Sequence, residues 1–528
     1  MINRILTVGG FTLVSRVTGF LRDIVMAAVL GAGPVADAFL VAFRLPNHFR
    51  AIFAEGAFAA AFVPAYARTR TKGGADAAKL FGDRIFTLLL ISQIVLLALA
   101  LLFTPAVIEL LAPGFHSDPA RFPLAVTLTR ITFPYLLLMT LVTLFSGILN
   151  SLERFAAAAA APILLNLTMV ATLATAAFFP TPGHAAAWGV LIAGVLEVLL
   201  VGGAALRADV MTVLRKPVLD DDVKRFFKAL GPATVGSAGV QLALFADTII
   251  ASFLAAGALS ALYYADRLYQ LPGGVIGIAV GTVLLPEMAR RIAAGDEAGA
   301  RIAQERAIEF TLLLAIPCVA AFLIVPDLIM RALFMRGKFT AEDAQAAAMT
   351  LAAYTIGLIP FVLMRSVTAT FLARGDTATP VKAALTAAGI NILFKIVFLY
   401  FTTLAQVGLA LATSIGAWIN FVLILWFGLR AGLMSFDAAF KRAVVKLVIA
   451  GLALFVALWI AQWPVLAMTA GFPGRHTWLA LLLLAFIGAL TYGAAVLGLF
   501  GKAWLASFLR TPSPVTRPSP SSVPPAPE

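Results

Sequence analysis

Cysteine and charge are scarce in this chain of 528 residues. The single cysteine, Cys318, excludes an intrachain disulfide, a zinc site built from several thiolates and a Cys-x-x-Cys redox pair. Charged residues make up only 12% of the chain, whereas apolar residues make up 61%. A soluble domain has about 25% charged and about 45–50% apolar residues. This composition excludes an ordinary soluble enzyme and indicates a protein that lies in a lipid bilayer.

The chain also lacks the motifs of common catalytic and nucleotide-binding sites. Its four histidines are scattered at positions 48, 116, 184 and 476, without the spacing of a metal site. It has no Walker motif and no glycine-rich dinucleotide motif, which argues against an ATP-driven pump within one chain. No Ser/His/Asp set stands in a loop long enough for an active site. These absences argue against an enzyme and predict no metal or cofactor, and any transport cycle would draw on the membrane potential or an ion gradient instead of ATP.

Runs of about 20 apolar residues, the length that crosses a bilayer, recur along the whole chain. We predict an all-α membrane protein with 14 transmembrane helices, at roughly 5–30, 37–66, 85–111, 128–149, 157–179, 186–206, 229–256, 261–287, 308–330, 346–372, 383–403, 407–429, 444–462 and 477–500. The N-terminus has no small-residue cleavage site and is interpreted as the start of the first span. The first two spans contain charged residues that a hydropathy plot alone would penalise, namely Arg16, Arg22, Asp23, Asp37, Arg44, Arg50 and Glu55.

The basic residues predict how the chain is oriented. Of the 39 Lys and Arg, 26 fall in one alternating set of loops and termini and only six fall in the other. Because positive charge is retained in the cytoplasm, this bias predicts that both termini face the cytoplasm. The Pro/Ser-rich stretch 506–528 has no apolar period and is predicted to be a disordered cytoplasmic tail.

The two halves of the chain resemble each other at an offset of about 223 residues. Asp23 and Gly33 recur as Asp247 and Gly257, both pairs ten residues apart. The repeat predicts two six-helix bundles related by an axis along the membrane normal, as in transporters built from parallel repeats. The predicted domains are 1–208, 209–430, two additional helices at 431–505, and the tail.

The charges that the repeat does not reproduce indicate function. Arg16, Arg22 and Arg50 map onto Val240, Ala246 and Gly273, and the acids Asp37 and Glu55 map onto Ala261 and Ile278. An arginine at a helix centre costs roughly 2.5–3.5 kcal/mol, so these side chains must face a water-filled cavity or carboxylates. Because guanidinium binds phosphate in a bidentate manner, three such arginines within 35 residues predict an anionic cargo.

Several residues keep two interpretations at this point. Asp23, Asp247 and Asp266 are interpreted chiefly as partners in ion pairs between helices, rather than as cavity residues. Glu197, Arg365 and Lys395 are either cavity residues or ties between helices. Gly19, Gly31 and Gly33 either allow the first span to bend or allow close packing.

Four segments carry a family resemblance: 15–68, which contains SRVTGFLRD and FRLPNHFR, 144–167, 263–290 and 372–382, which contains LARGDTATPVK. They resemble the MurJ/MviN lipid II flippases of the MOP exporter superfamily. The resemblance implies a V-shaped pair of six-helix bundles in the bacterial inner membrane. It also implies alternating-access export of lipid II, the undecaprenyl-diphosphate-linked disaccharide-pentapeptide, to the periplasmic leaflet for peptidoglycan synthesis. The last two helices would form a groove for the polyprenyl tail. The expected partners are lipid II and bilayer lipids, without nucleic acid, and the expected state is a monomer.

The resemblance also assigns residues. The substrate-binding arginines of the family fall on Arg16, Arg22, Arg50 and Arg267, and its gate acid falls on Asp37. Three further acids that match, and that we assign to gates or ion pairs, are Asp23, Glu55 and Asp266. One position departs from the family, because Gln270 stands where an acid is common.

Three alternatives remain at this stage: a related exporter, a membrane scaffold and a membrane enzyme. The related exporter would be a flippase or exporter of another lipid-linked oligosaccharide or amphiphile in the same superfamily. A drug-cation exporter would instead place carboxylates at the centre of its cavity. A membrane scaffold without transport would tolerate loss of the arginines, and a membrane enzyme would need catalytic residues that we do not find.

Overall fold

The computed structural model describes residues 2–49, 58–472 and 474–509. Within these residues all the long regular elements are α-helices, in agreement with the predicted all-α class. They are α1 Ile2–Leu30, α2 Pro34–Phe49, α3 Phe58–Leu102, α4 Thr104–Leu111, α5 Arg121–Thr132, α6 Pro134–Ser151, α7 Ala156–Ala174, α8 Pro182–Arg207, α9 Asp221–Ser252, α10 Ala258–Ala293, α11 Glu297–Ile324, α12 Pro326–Phe334, α13 Ala341–Thr355, α14 Leu358–Leu372, α15 Ala378–Phe401, α16 Ala405–Arg430, α17 Ala438–Thr469 and α18 His476–Leu509.

Proline and aspartate set many of the helix starts. Pro34 and Pro326 are the first residues of α2 and α12, where the missing N–H of proline costs no hydrogen bond. The carboxylates of Asp220 and Asp437 accept hydrogen bonds from backbone N–H groups in the first turns of α9 and α17. Gly31 ends α1 with a φ of 73°, a left-handed conformation that favours glycine.

Eleven helical stretches in the described residues are long and apolar enough to cross a membrane, which confirms a multi-span membrane protein. They do not include α1, α2 or α9. Helix α1 carries Arg16, Arg22 and Asp23, and α2 has only 16 residues. The charges of α1 and the short length of α2 explain why neither helix is counted as long and apolar enough to cross a membrane.

The helices fall into two compact units. The first unit comprises Met1–Ala265, Met330–Thr350 and Asn391–Ala412. In it α7 packs between α1 and α8, and α6 packs on α3 and α8. An aromatic cluster joins α3 to α9, since the rings of Phe62 and Phe226 lie 6.1 Å apart at right angles.

The second unit comprises Asp266–Ile329, Leu351–Ile390 and Thr413–Glu528. Here α11 packs on α14 and α17, and α17 packs along α18. The last helix is tied to α11 by the hydroxyl of Tyr492, which donates to the carbonyl oxygen of Leu313 at 3.0 Å.

Candidate functional site

Arg22 and Asp23, both predicted site residues, form a buried ion pair inside α1. Arg22 is 8% exposed and Asp23 is 3% exposed. The Nη2 of Arg22 lies 2.7 Å from Oδ1 of Asp23, and its Nε lies 3.1 Å from the same oxygen. Neighbouring residues on a helix do not share a face, so the long arginine side chain folds back to reach the carboxylate. The prediction for Asp23 was an ion pair between helices, whereas this pair lies within one helix.

Two other helices contact this pair. The hydroxyl of Tyr263 in α10 donates to Oδ1 of Asp23 at 3.0 Å, and Nη1 of Arg22 donates to Oδ1 of Asn166 in α7 at 3.1 Å. The amide nitrogen of Asn166 donates in turn to the carbonyl oxygen of Ser15 at 3.0 Å. A Cβ at Gly19 would lie 3.4 Å from this amide nitrogen, so Gly19 serves close packing of α1 on α7. The result is a polar network that joins α1, α7 and α10.

Arg16 has a different environment from Arg22. It lies about 9 Å further toward the N-terminus of α1, at 1.5 Å per residue, and it is exposed. Within the described part of the chain it makes neither a hydrogen bond nor an ion pair. An arginine inside a membrane that has no protein partner needs water or a ligand.

Asp37 caps a helix from a neighbouring helix. The carboxylate, which is fully buried in α2, lies at the N-terminus of α10. Its Oδ2 accepts from the backbone N–H of Gly257 at 2.8 Å, and its Oδ1 accepts from the N–H of Ser260 at 3.0 Å and from Oγ of Ser260 at 2.6 Å. The free N–H groups and the positive end of the helix dipole both favour a carboxylate at this point.

A basic residue also approaches Asp37. The Nη1 of Arg121, at the start of α5, lies 3.8 Å from Oδ2 of Asp37. Arg121 is held in place by Oδ2 of Asp118, at 2.6 Å from its Nε, and by the carbonyl oxygen of Leu254, at 3.0 Å from its Nη1. This chain of contacts connects the α4–α5 loop through Asp37 to the start of α10.

The acid that corresponds to Asp23 in the second half, Asp247 in α9, pairs with a distant cation. The Nζ of Lys395 in α15 donates to Oδ1 of Asp247, and Lys395 is 3% exposed. Next to Asp247, Oγ1 of Thr248 accepts a hydrogen bond from Nη1 of Arg44 in α2 at 2.8 Å. Lys395 is thus a tie between helices in this structure, which was one of its two interpretations.

The remaining predicted site residues lie in other parts of the structure. In the second unit, Asp266 accepts a hydrogen bond from Nε2 of Gln270 at 2.5 Å, so the residue that departs from the family contacts a predicted site acid. Arg267, on the same turn of α10, is partly buried. Glu197 in α8 is buried, 3.4 Å from the hydroxyl of Tyr135. Arg50 and Glu55 lie outside the described residues.

The sequence did not predict several residues that contact the predicted site residues. Asn166, Ser260, Tyr263 and Arg121 all touch predicted site acids or arginines, yet none was singled out. An asparagine inside an otherwise apolar helix is a usable signal for Asn166. The described residues hold no group of three or more His, Cys, Asp or Glu that would bind a metal ion.

The family model and the relatives found by sequence agree on one family. The family model described as "Lipid II flippase MurJ" matches residues 26–482. A relative from Rhizobium meliloti named "Probable lipid II flippase MurJ" is 40% identical over 510 residues, which cover 95% of each chain. A solved structure titled "Lipid II flippase MurJ, inward closed conformation" has a TM-score of 0.77 and 24% identity, and covers 95% of this chain and 99% of that one. An inward-facing MATE-family multidrug transporter of the MOP superfamily has a TM-score of 0.65 and 16% identity, covering 79% of this chain and 95% of that one.

Proposed function

The chain belongs to the lipid II flippase MurJ family, and on that premise we propose that it moves lipid II from the cytoplasmic to the periplasmic leaflet of a bacterial inner membrane. It is a transporter and not an enzyme. The headgroup is too polar to cross about 30 Å of hydrocarbon unaided, so it needs a polar path through the protein. Its diphosphate requires cations along that path.

Arg16 is the observation that carries the proposal. It lies exposed on a helix of a membrane protein, without a partner among the described residues. Arg22, two turns away, is held by Asp23 and Asn166 in a fixed position. We propose that Arg16 binds the diphosphate directly. Arg22 would join it when the cargo competes with Asp23 for the guanidinium.

The other site residues receive roles in the same scheme. We propose Arg50 and Arg267 as further phosphate ligands, and Glu55 and Asp266 as gate or ion-pair acids. Asp37 is proposed as the periplasmic gate, supported by its contacts with the start of α10 and with Arg121. In alternating access, these contacts would break when the outer side opens.

The proposed architecture has 14 transmembrane helices in two six-helix bundles, 1–208 and 209–430, followed by two helices at 431–505. Residues with positive φ, at helix ends and at the kink inside α3, support the repeat. Three pairs of residues with positive φ recur 221, 222 and 223 positions apart, namely Gly74 and Gly295, Glu153 and Gly375, and Asp209 and Gly432. Both termini are proposed to be cytoplasmic, and the protein is proposed to act as a monomer with the last two helices as the groove for the polyprenyl tail.

A second candidate is export of another amphiphile, because the MATE-family transporter shares the fold. The sign of the charge separates the two candidates. A site for cationic drugs would need free carboxylates, whereas Asp23, Asp37 and Asp247 are all engaged by donors in this structure.

A depletion strain tests the proposal. When the protein is depleted, lipid II should accumulate in the cytoplasmic leaflet, as read by an accessibility assay on the periplasmic side. The wild-type gene should restore export, Arg16→Ala should not, and Arg207→Ala, at the exposed end of α8, should restore it fully. Normal export in cells that contain only Arg16→Ala would remove Arg16 from the site.

A further inference from the structure

A groove in the second unit lies outside the site described so far. It has a volume of about 460 Å³ and runs between α10 and the last two turns of α14. Its lining residues are Gly281, Thr282, Leu285, Met364, Arg365, Thr368, Ala369 and Leu372. Both helices contribute apolar residues and one hydroxyl each, and the single charged group is a guanidinium.

Arg365 is an unusual residue for this position. It is exposed on a helix that belongs to an apolar membrane-spanning stretch, about 10 Å from the C-terminal end of α14 at 1.5 Å per residue. Among the described residues it has neither a hydrogen bond nor an ion pair, and no acid lines the groove. Arg22 and Lys395, by contrast, each have a carboxylate partner. An anion from outside the protein is the natural partner for such a group.

The groove is shaped around the arginine side chain. A Cβ at Gly277 would lie 2.9 Å from Cδ and 3.0 Å from Nε of Arg365, and one at Gly281 would lie 3.7 Å from Cδ. The side chain thus lies flat along α10 because two glycines leave room for it. Its guanidinium lies beside these glycines, with Nη1 4.0 Å from the Cβ position at Gly281.

We propose that this groove is a loading site for the diphosphate of the polyprenyl lipid cargo in the cytoplasmic leaflet. Arg365 binds the phosphate oxygens, Thr282 and Thr368 supply hydroxyls, and the apolar lining residues contact the first part of the chain. A volume of about 460 Å³ lies within the range of about 300–1,000 Å³ typical of small-ligand sites, so it holds the diphosphate and part of one chain. The inference rests on the proposed function, because that function supplies a single-chain diphosphate lipid.

Binding to the purified full-length protein tests the assignment. A polyprenyl diphosphate and phosphatidylglycerol are titrated separately and read by native mass spectrometry. Arg365→Ala should weaken polyprenyl diphosphate binding about 10-fold, as expected for loss of a charge-assisted hydrogen bond, with little change for phosphatidylglycerol. Arg365→Lys should lose less. Gly277→Ala keeps the charge but displaces the guanidinium, and should give an intermediate loss. Arg306→Ala, an exposed arginine of the same unit outside the groove, is the control.

The outcomes separate this site from the proposed function. Unchanged polyprenyl diphosphate affinity in Arg365→Ala, together with a loss in Arg16→Ala, would overturn the loading site and leave the proposed function in place. Equal losses for both lipids would identify a general site for anionic bilayer lipids and would also overturn the inference. Absence of polyprenyl diphosphate binding in the wild-type protein would instead contradict the proposed function.

Discussion

In the internal repeat that we propose from the sequence, α1 corresponds to α9, yet the matching acids Asp23 and Asp247 have different cationic partners. In α1, Asp23 is paired with its own neighbour Arg22, and both side chains are almost fully buried. In α9, Asp247 is paired with Lys395, which lies 148 residues away in α15. The acid is therefore a shared feature of the scaffold, whereas the cation comes from a different place in each half.

The two helices also differ in the basic residues that do not pair with this acid. Helix α1 supplies Arg16 in addition to the arginine that satisfies its acid, and α9 has Val240 near the equivalent position. Between these two helices, the additional arginine is thus specific to α1. An anionic cargo would bind where the arginines outnumber the carboxylates that hold them.

The first prediction concerns Asp37, an acid that the second half replaces with Ala261. Asp37→Ala should destabilise the protein by about 3–5 kcal/mol, because it leaves Arg121 and the first N–H groups of α10 without their buried acceptor. Export should also be lost. Thermal unfolding of the purified variant and its level in the membrane distinguish the two effects. Asp222→Ala, which removes a surface ion pair with Arg225, is the matched control. Wild-type stability in Asp37→Ala would refute the cap.

The second prediction separates the two arginines of α1. A double-mutant cycle between Arg22 and Asp23 should give a coupling energy of about 1–3 kcal/mol in thermal stability, because the pair is buried. Arg16→Ala should change stability by less than about 0.5 kcal/mol, while it weakens lipid II binding. Arg16→Lys should bind better than Arg16→Ala, since it keeps the charge without the planar fork. If Arg16→Ala is as unstable as Arg22→Ala, the contrast between the two residues is wrong.

The third prediction compares the two members of the α9 pair. Lys395 is 3% exposed in its side chain, and Asp247 is 32% exposed. Asp247→Ala leaves a buried cation unpaired and should cost about 2 kcal/mol, whereas Lys395→Ala leaves an acid that water can reach and should cost less. In α1, where both members are buried, the two single variants should cost similar amounts. Unfolding of the four single variants under one set of conditions provides the test, and the reverse order at Asp247 and Lys395 would contradict it.

The sequence alone predicted the all-α membrane class and the family, because apolar runs and long motifs depend on local composition. It also identified the acids that need a partner, since an unpaired carboxylate in a membrane helix is costly wherever it lies. It did not identify those partners. Lys395 meets Asp247 from a helix 148 residues further along the chain, and Ser260 meets Asp37 through the backbone at the start of α10. Neither contact leaves a periodic pattern in the chain.

The smallest expected effect concerns the loop that supports Arg121. The backbone N–H of Arg121 donates to Oδ1 of Asp118, and this bond lowers the pKa of the Asp118 carboxyl below its ordinary value of 3.8. A group with a lowered pKa in the folded state stabilises the protein above its unfolded pKa, and this contribution is lost as the pH falls through the folded pKa. The Tm of Asp118→Asn should therefore be lower than that of the wild-type protein by a constant amount between about pH 5 and 7. The gap should begin to narrow below about pH 4 and close once the pH lies below the lowered pKa of Asp118 in the folded protein. A gap that persists unchanged in acid would show that Asp118 acts through shape rather than charge, and that Arg121 reaches Asp37 without its help.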